Sequence, residues 1–224
     1  MIYKLFLFCT LLSCMLFAQG QDVSKLPLSA KAKPTAKSIV FYLSGDGGMN
    51  SFSQNLIQLL NDKNYAIVAL DSKKYFWEQK TPDKLAQDMN AVIESYLKNW
   101  GKEEFSILGY SFGADAALFL TPRLAKDLQA KLRSTILLSP SNSTDFVIHL
   151  TDMMGFGSKN AKYKVLPEIN KISSKLLFIF GDGEDRELHK SIPDKKNITK
   201  TLLPGSHKFD NDIKKVVATI QTEL

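Results

Sequence analysis

Five consecutive residues, Gly109-Tyr110-Ser111-Phe112-Gly113, match the pattern G-x-S-x-G. In that pattern a serine stands on a tight strand-to-helix turn with its Oγ exposed, and the glycines let the flanking backbone come close. The chemistry is nucleophilic attack by the serine on a carbonyl. Three fixed positions are weak evidence alone, and a glycine turn in any parallel sheet would look similar. Here an apolar run, Phe105–Leu108, precedes the turn and a helical pattern, Ala114–Leu120, follows it. A serine nucleophile needs a base, and the chain has three histidines, His149, His189 and His207. His207 lies in Leu203-Pro204-Gly205-Ser206-His207-Lys208-Phe209, a loop before the last helical segment, and it is the preferred base. His189 sits in a Lys-rich stretch and reads as exposed. His149, in Asp145–Leu150, alternates as if on a strand and reads as structural. The acid that orients the base should follow the apolar run Lys175–Phe180. There Gly181-Asp182-Gly183-Glu184-Asp185-Arg186-Glu187 offers several carboxylates. The sequence prefers Asp185, with Glu184 and Asp182 as alternatives. Two backbone amides should hold the developing oxyanion. One is Phe112, and the other comes from Ser44-Gly45-Asp46-Gly47-Gly48, with Asp46 and Gly47 as candidates. No Gly-Lys-Ser/Thr follows that loop, and no G-x-G-x-x-G occurs, which argues against a nucleotide cradle. The chemistry calls for no cofactor and no metal.

The elements that must carry these residues can be read from periodicity. Ser38–Ser44, Ala66–Leu70, Phe105–Leu108, Ser134–Ser139 and Lys175–Phe180 are short apolar runs bounded by turn residues, which predicts buried strands. Helical patterns alternate with them: Ser53–Asn61, Pro82–Trp100, Ser111 to about Leu120, and Asp210–Leu224. In Pro82–Trp100 the residues Leu85, Met89, Val92, Ile93, Tyr96 and Trp100 form one stripe, with Thr81 as cap and Pro82 at the first position. Strands that are apolar throughout, alternating with helices, predict a mostly parallel sheet covered on both faces. The expected class is α/β, and the order Ser…acid…His makes it α/β-hydrolase-like. Little or no cap is expected, with Pro140–Ser174 the place for a small one.

Of the 224 residues, 44% are hydrophobic and 23% charged, which excludes disorder as a reading of the whole chain. The net charge of +6 is too mild to argue for nucleic-acid binding. Residues Met1–Gly20 carry Lys4, an apolar run from Leu5 to Ala18 and the small-x-small triplet Ala18-Gln19-Gly20, which predicts a secretory signal peptide. Its removal takes away Lys4 alone, so the charge falls to +5, and it takes both cysteines, Cys9 and Cys14. The run is shorter than the roughly 20 residues of a membrane span. Leu11-Leu12-Ser13-Cys14 is a poor lipoprotein box, so an anchor at Cys14 is the alternative. Residues 21–37, rich in Lys, Pro and Ala, read as a flexible lead-in to a single domain over 38–224.

Beyond the elbow, several segments together resemble the bacterial VirJ/AcvB-type virulence-protein family. They are Gly45-Asp46-Gly47-Gly48; Asp71-Ser72 with Tyr75-Phe76-Trp77 and Lys80-Thr81-Pro82; Gly109 to Asp115; Asp145-Phe146; and Pro204 to Asp210. The likeness runs from about Ser38 to the C-terminus. Met49 stands where an aromatic is expected, and Ser206 and Lys208 replace a glycine and a histidine. The resemblance implies an α/β-hydrolase fold, a periplasmic location, Ser111 as nucleophile, His207 as base and an acid within 182–185. For some members it implies hydrolysis of lysyl-phosphatidylglycerol. The expected function is therefore a periplasmic serine ester hydrolase acting on an aminoacyl-phosphatidylglycerol. The alternatives are a general carboxylesterase or lysophospholipase, and a non-catalytic binding or secretion-associated protein. Trp77 is a candidate for lining the substrate pocket, and Asp115 and Asp145 for holding a cationic substrate group. Each has a plainer role open to it, as a core aromatic or as a local ion pair. The expected partners are a lipid or small ester substrate and the surface of an anionic membrane, with no nucleic acid.

Overall fold

A computed structural model of the chain describes residues 22–148, 161–184 and 187–224. The expected signal segment 1–20, with Cys9 and Cys14, and the residues His149 and Asp185 lie outside the described residues. The strands are β1 (Leu28–Lys31), β2 (Ser38–Leu43), β3 (Ala66–Leu70), β4 (Glu104–Tyr110), β5 (Leu132–Leu138), β6 (Ser143–Thr144), β7 (Tyr163–Lys164), β8 (Lys175–Gly181) and β9 (Ile198–Leu203). The helices are α1 (Ser51–Asp62), α2 (Ser72–Tyr75), α3 (Pro82–Trp100), α4 (Phe112–Leu120), α5 (Lys126–Lys131), α6 (Leu166–Ile169), α7 (Leu188–Ser191) and α8 (Ile213–Ile220).

The main sheet runs in the order β1-β3-β2-β4-β5-β8-β9. Every neighbouring pair is parallel except β1 with β3. All six residues of β2 are buried because helices cover both faces. Successive side chains of a strand point to opposite faces. Ile39, Phe41 and Leu43 therefore enter one core with α3 and α4, while Val40 and Tyr42 enter the other with α1 and α8. Each such side chain contributes roughly 1.5–3 kcal/mol on burial. The chain winds outward from β2 to β3 and then returns to β4 on the other side. The carboxyl ends of β2 and β4 thus form a topological switch point, where open α/β sheets bind ligands.

The longest helix follows its sequence signals. Thr81 Oγ1 accepts the Lys84 N–H at 3.1 Å, Pro82 occupies the first turn, and Gly101 closes α3 at φ 60°. Leu85, Met89, Val92 and Ile93 are buried on its inner face. Three expectations need correction, and one strand was not anticipated. Residues 21–37 are not merely a lead-in, since β1 pairs antiparallel with β3, Leu28 opposite Leu70. Strand β9 follows Asn197 although its pattern ITKTLL is only half buried. Both are edge strands whose stability comes from a neighbour's ladder, so local hydrophobicity is a poor guide to them. Asp145–Ile148 forms no strand. It lies beside the loop after α2, with Ile148 N–H donating to Phe76 O and Lys80 N–H to Phe146 O, each 2.9 Å. The last helix begins only at Ile213, because Phe209, Asp210 and Asn211 all have φ between 51° and 59°. Asp212 then caps it, accepting the Lys215 N–H at 3.1 Å.

The stretch expected to hold a small cap contributes the β6–β7 ribbon and α6 among its described residues. An ion-pair cluster fastens α6. Glu168, 7% exposed in its side chain, takes Arg123 Nη1 at 2.7 Å and Lys171 Nζ at 2.6 Å. Burial pushes the Glu168 carboxyl up, but the bonds from Arg123 and Lys171 outweigh it and hold it below 4.5. A carboxyl lowered on folding contributes stability above its unfolded value, and that stability is lost as pH falls through the folded value. Arg123→Met should therefore lower the urea midpoint at neutral pH, by about 1–3 kcal/mol of stability. The variant should also lose less stability than the parent on acidification below about pH 4.5. Urea titrations at neutral and acid pH check both effects.

Candidate active site

Ser111 stands between the last residue of β4 and the first of α4, with φ 54° and ψ −122°. That left-handed backbone is costly for a residue with a Cβ and persists only where the surroundings impose it. The two motif glycines impose it. A Cβ on Gly109 would lie 2.5 Å from Ala114 Cα, and one on Gly113 would lie 2.2 Å from Leu43 O. Only glycine lets α4 start this close to the end of β2.

His207 Nε2 lies 2.8 Å from Ser111 Oγ. The ring arrives from a loop 96 residues away in sequence, so the loop itself must be held. Gly205 N–H donates to Asp182 Oδ1 at 2.9 Å, and Gly183 N–H donates to Gly205 O at 2.9 Å. Tyr110 OH donates to the His207 carbonyl at 3.3 Å, and its ring lies 5.3 Å from the imidazole. Asp182, one of the alternative acids, is thus bonded to the His loop backbone. His189 is half buried, edge-on to Phe180 at 5.3 Å, rather than exposed.

At Nδ1 of His207 the structure places Glu184, with Oε2 at 3.6 Å and a side chain 4% exposed. The preferred Asp185 lies outside the described residues. Glu184 Oε1 accepts the Gly181 N–H at 3.0 Å and the hydroxyl of Ser139. Ser139 is fully buried at the carboxyl end of β5, with φ 49°, and its N–H donates to Ile179 O at 2.8 Å. Sequence reasoning missed Ser139 and the Tyr110 hydroxyl. The available signal for Ser139 was its place just past an apolar strand, on the sheet's ligand-binding rim.

The loop after β2 reaches the nucleophile through Gly45, where a Cβ would lie 3.3 Å from Ser111 Cβ. Of its amides, Gly47 N–H donates to Asp46 Oδ1 at 2.8 Å and Gly48 N–H to Gly45 O at 2.9 Å. The Gly47 amide is therefore engaged inside the loop, which leaves Phe112 and Asp46 as the better candidates for an oxyanion hole.

The proposed cation-holding carboxylates have other partners. Asp115, 3% exposed, accepts both the backbone N–H of Ser141, at 2.6 Å, and its hydroxyl. It ties the loop after β5 to α4. Asp145 Oδ1 accepts the Lys162 N–H at 2.6 Å. These partners are two backbone amides and a serine hydroxyl, where the plainer expectation is a local ion pair. In the aromatic triplet, Tyr75 and Phe76 are buried, and Phe76 packs edge-on to Phe112 at 4.8 Å. Tyr75 donates its hydroxyl to Asp88 at 2.5 Å; burial and that carboxylate push the phenol well above its usual range. Trp77 is 55% exposed and lines a hollow with Gly47 and Gly48.

The sheet order, the strained serine turn and the histidine loop after the last strand define the α/β-hydrolase class of fold. The chain belongs to the bacterial virulence protein (VirJ) family, whose family model matches residues 37–224. No curated protein matches it in sequence. Solved structures match in fold. Est1E from Butyrivibrio proteoclasticus with ferulic acid bound superposes with TM-score 0.65 at 15% identity, covering 90% of this chain and 95% of that one. A lipase-esterase related protein from Clostridium acetobutylicum gives 0.63 at 13% identity, over 89% and 99%. Proline iminopeptidase from Mycobacterium smegmatis gives 0.62 at 12% identity, over 87% and 92%.

Proposed function

We propose that this protein is a serine ester hydrolase. The observation that carries the reading is the 2.8 Å contact of His207 Nε2 with Ser111 Oγ on a strained elbow. Ser111 attacks the ester carbonyl while His207 takes its proton and then passes it to the leaving alcohol. Glu184 stabilises the imidazolium and fixes its tautomer. The amides of Phe112 and Asp46 receive the oxyanion, and water releases the acyl group by the reverse sequence. Labelling of the purified protein by a fluorophosphonate tests the reading, and a folded protein that is never labelled would overturn it.

An aminoacyl ester of phosphatidylglycerol is the leading substrate, supported by membership of the VirJ family. A periplasmic site of action goes with it, after removal of residues 1–20. The net positive charge would favour an anionic bilayer, by about 1 kcal/mol for each lysine near the surface. An ammonium on the substrate needs a carboxylate, since an unpaired buried charge is costly. Asp115 is engaged through both oxygens and Asp145 through the Lys162 N–H, whereas Asp46 accepts only from its own neighbour Gly47 and stands in the loop that reaches Ser111, so Asp46 is the first candidate. Asp46→Asn should slow lysyl esters about 10- to 100-fold more than neutral acyl esters, the worth of one hydrogen bond to a charged group. Parallel kinetics on the two ester classes check this. An equal loss on both would move the general esterase to first place.

Ser139 acts in this scheme through Glu184. Its hydroxyl and the Gly181 amide hold Oε1, which turns Oε2 toward His207. Ser139→Ala should lower kcat about tenfold with KM nearly unchanged, as loss of a bond felt mainly in the transition state does. In a Glu184→Gln background the same change should cost almost nothing more, because the two residues act as one unit. A double-mutant cycle on kcat measures this coupling.

A further inference from the structure

The loop that brings Gly45 against Ser111 continues into a trough that the mechanism leaves unused. One hollow, about 680 Å³, is lined by Gly47, Gly48, Met49, Lys73, Lys74 and Trp77 among others. A second, about 580 Å³, shares Met49, Asp71 and Lys74 with it and extends to Lys31 on edge strand β1. The two adjoin, so the trough leads from the nucleophile's loop to the sheet edge.

Its charge is lopsided. Lys31, Lys73 and Lys74 face one carboxylate, Asp71. Asp71 is already in use, since Oδ1 accepts the Lys74 N–H at 3.3 Å and Oδ2 stands 3.6 Å from Lys74 Nζ. Lys31 Nζ donates to the neutral Gln58. Lys73 is half buried and makes no ion pair among the described residues. Its position is fixed closely. Gly48, at φ 65°, lets the loop rest on α2, where a Cβ would come 3.0 Å from Lys73 Cβ and 2.7 Å from Asp71 Oδ1. The loop that serves the reacting carbonyl and the residue carrying the unpaired ammonium are therefore in van der Waals contact. Trp77 lines the same hollow with a largely exposed indole, an apolar wall for the rest of a ligand.

We propose that this trough is a phosphate-binding subsite, in which Lys73, seconded by Lys74, holds a phosphate group of the substrate while Trp77 covers the adjoining carbon skeleton. Ammonium groups suit a tetrahedral phosphate as point charges, whereas planar, two-pronged recognition would call for arginine. Because the trough is open, its attraction is screened by salt. The proposal deepens the hydrolase reading, and it rests on that reading only for which end of the ester lies here. The phosphate could belong to a soluble ester or to a phospholipid headgroup.

Binding can be measured without turnover by following Trp77 fluorescence in the wild-type protein, with Trp77→Phe as the signal control. Glycerol 3-phosphate should give a saturable change that glycerol does not, and moderate salt should weaken it. Lys73→Met should weaken it about tenfold or more, and circular dichroism establishes that the variant is folded. Vesicles of phosphatidylcholine containing phosphatidylglycerol, against phosphatidylcholine alone, form the second arm. A response to glycerol 3-phosphate supports a site for the free group. A response only to the anionic vesicles, abolished by Lys73→Met, supports the same site reading the phosphate of an anionic lipid. Silence in both arms, or an unchanged affinity in folded Lys73→Met, overturns the proposal. If the protein binds glycerol 3-phosphate yet labels with no fluorophosphonate, the hydrolase reading fails and the subsite stands.

Discussion

Ser111→Ala is expected to yield a folded protein that hydrolyses ester substrates about 10⁵–10⁶-fold more slowly, the scale of losing a serine nucleophile. Among the described residues the Ser111 side chain makes one hydrogen bond, to His207, so the fold should not depend on the hydroxyl. What remains would be the background from binding and the oxyanion amides. Fluorophosphonate labelling should vanish together with activity. The backbone adds a second measurable. At φ 54° and ψ −122° alanine inherits the strain of serine, whereas glycine relieves it. Strain of this kind is worth about 1–3 kcal/mol, partly offset by the greater freedom of glycine in the unfolded chain. Ser111→Gly should therefore unfold at a higher urea concentration than Ser111→Ala, although both are inactive. Equal activity in Ser111→Ala and the parent protein would remove Ser111 from the chemistry.

Histidine 207 and its carboxylate give the second large effect. His207→Ala should lower kcat by at least about 10³-fold, and Glu184→Gln by about 10³–10⁴-fold, through loss of the correct imidazole tautomer. The carboxylate prediction follows from geometry. Glu184 is 4% exposed in its side chain with Oε2 3.6 Å from Nδ1, a spacing that shortens when the imidazolium forms. Asp182→Asn should act differently. It loosens the bond to Gly205 that holds the loop, so it should cost stability and a smaller part of kcat. His189→Ala, against Phe180 and away from these groups, should leave kcat nearly unchanged. Steady-state kinetics with urea titrations on these four variants and on Asp185→Asn separate these outcomes. If Glu184→Gln were mild and Asp185→Asn severe, the acid would be Asp185.

The contrast between Glu184 and Asp185 shows where reading the chain stops. The carboxylates in Gly181–Glu187 carry the same charge and crowd into one short turn after β8, so residue type and spacing do not choose among them. Which one meets His207 depends on the turn after Gly181 and on the donor waiting at the end of β5, Ser139, 45 residues away. Asp115 illustrates the same limit from the other side. Its place one turn after the nucleophile suggested a substrate contact, but the loop after β5 folds back and occupies both its oxygens.

Local patterns carried more of this protein than its edges did. Period, capping and run length are short-range properties, so α3 from Pro82 to Trp100, the inner strands and the elbow at Ser111 could be read directly from the residues. The demand for glycine at 109 and 113 could be read too, because the turn type requires it whatever surrounds it. The edge strands β1 and β9 could not, since half-buried segments take their hydrogen bonds from neighbours distant in the chain. Nor could the acid, the engaged carboxylates or the lysine-lined trough. Those depend on which side chains long-range packing sets face to face, and only the tertiary structure decides that.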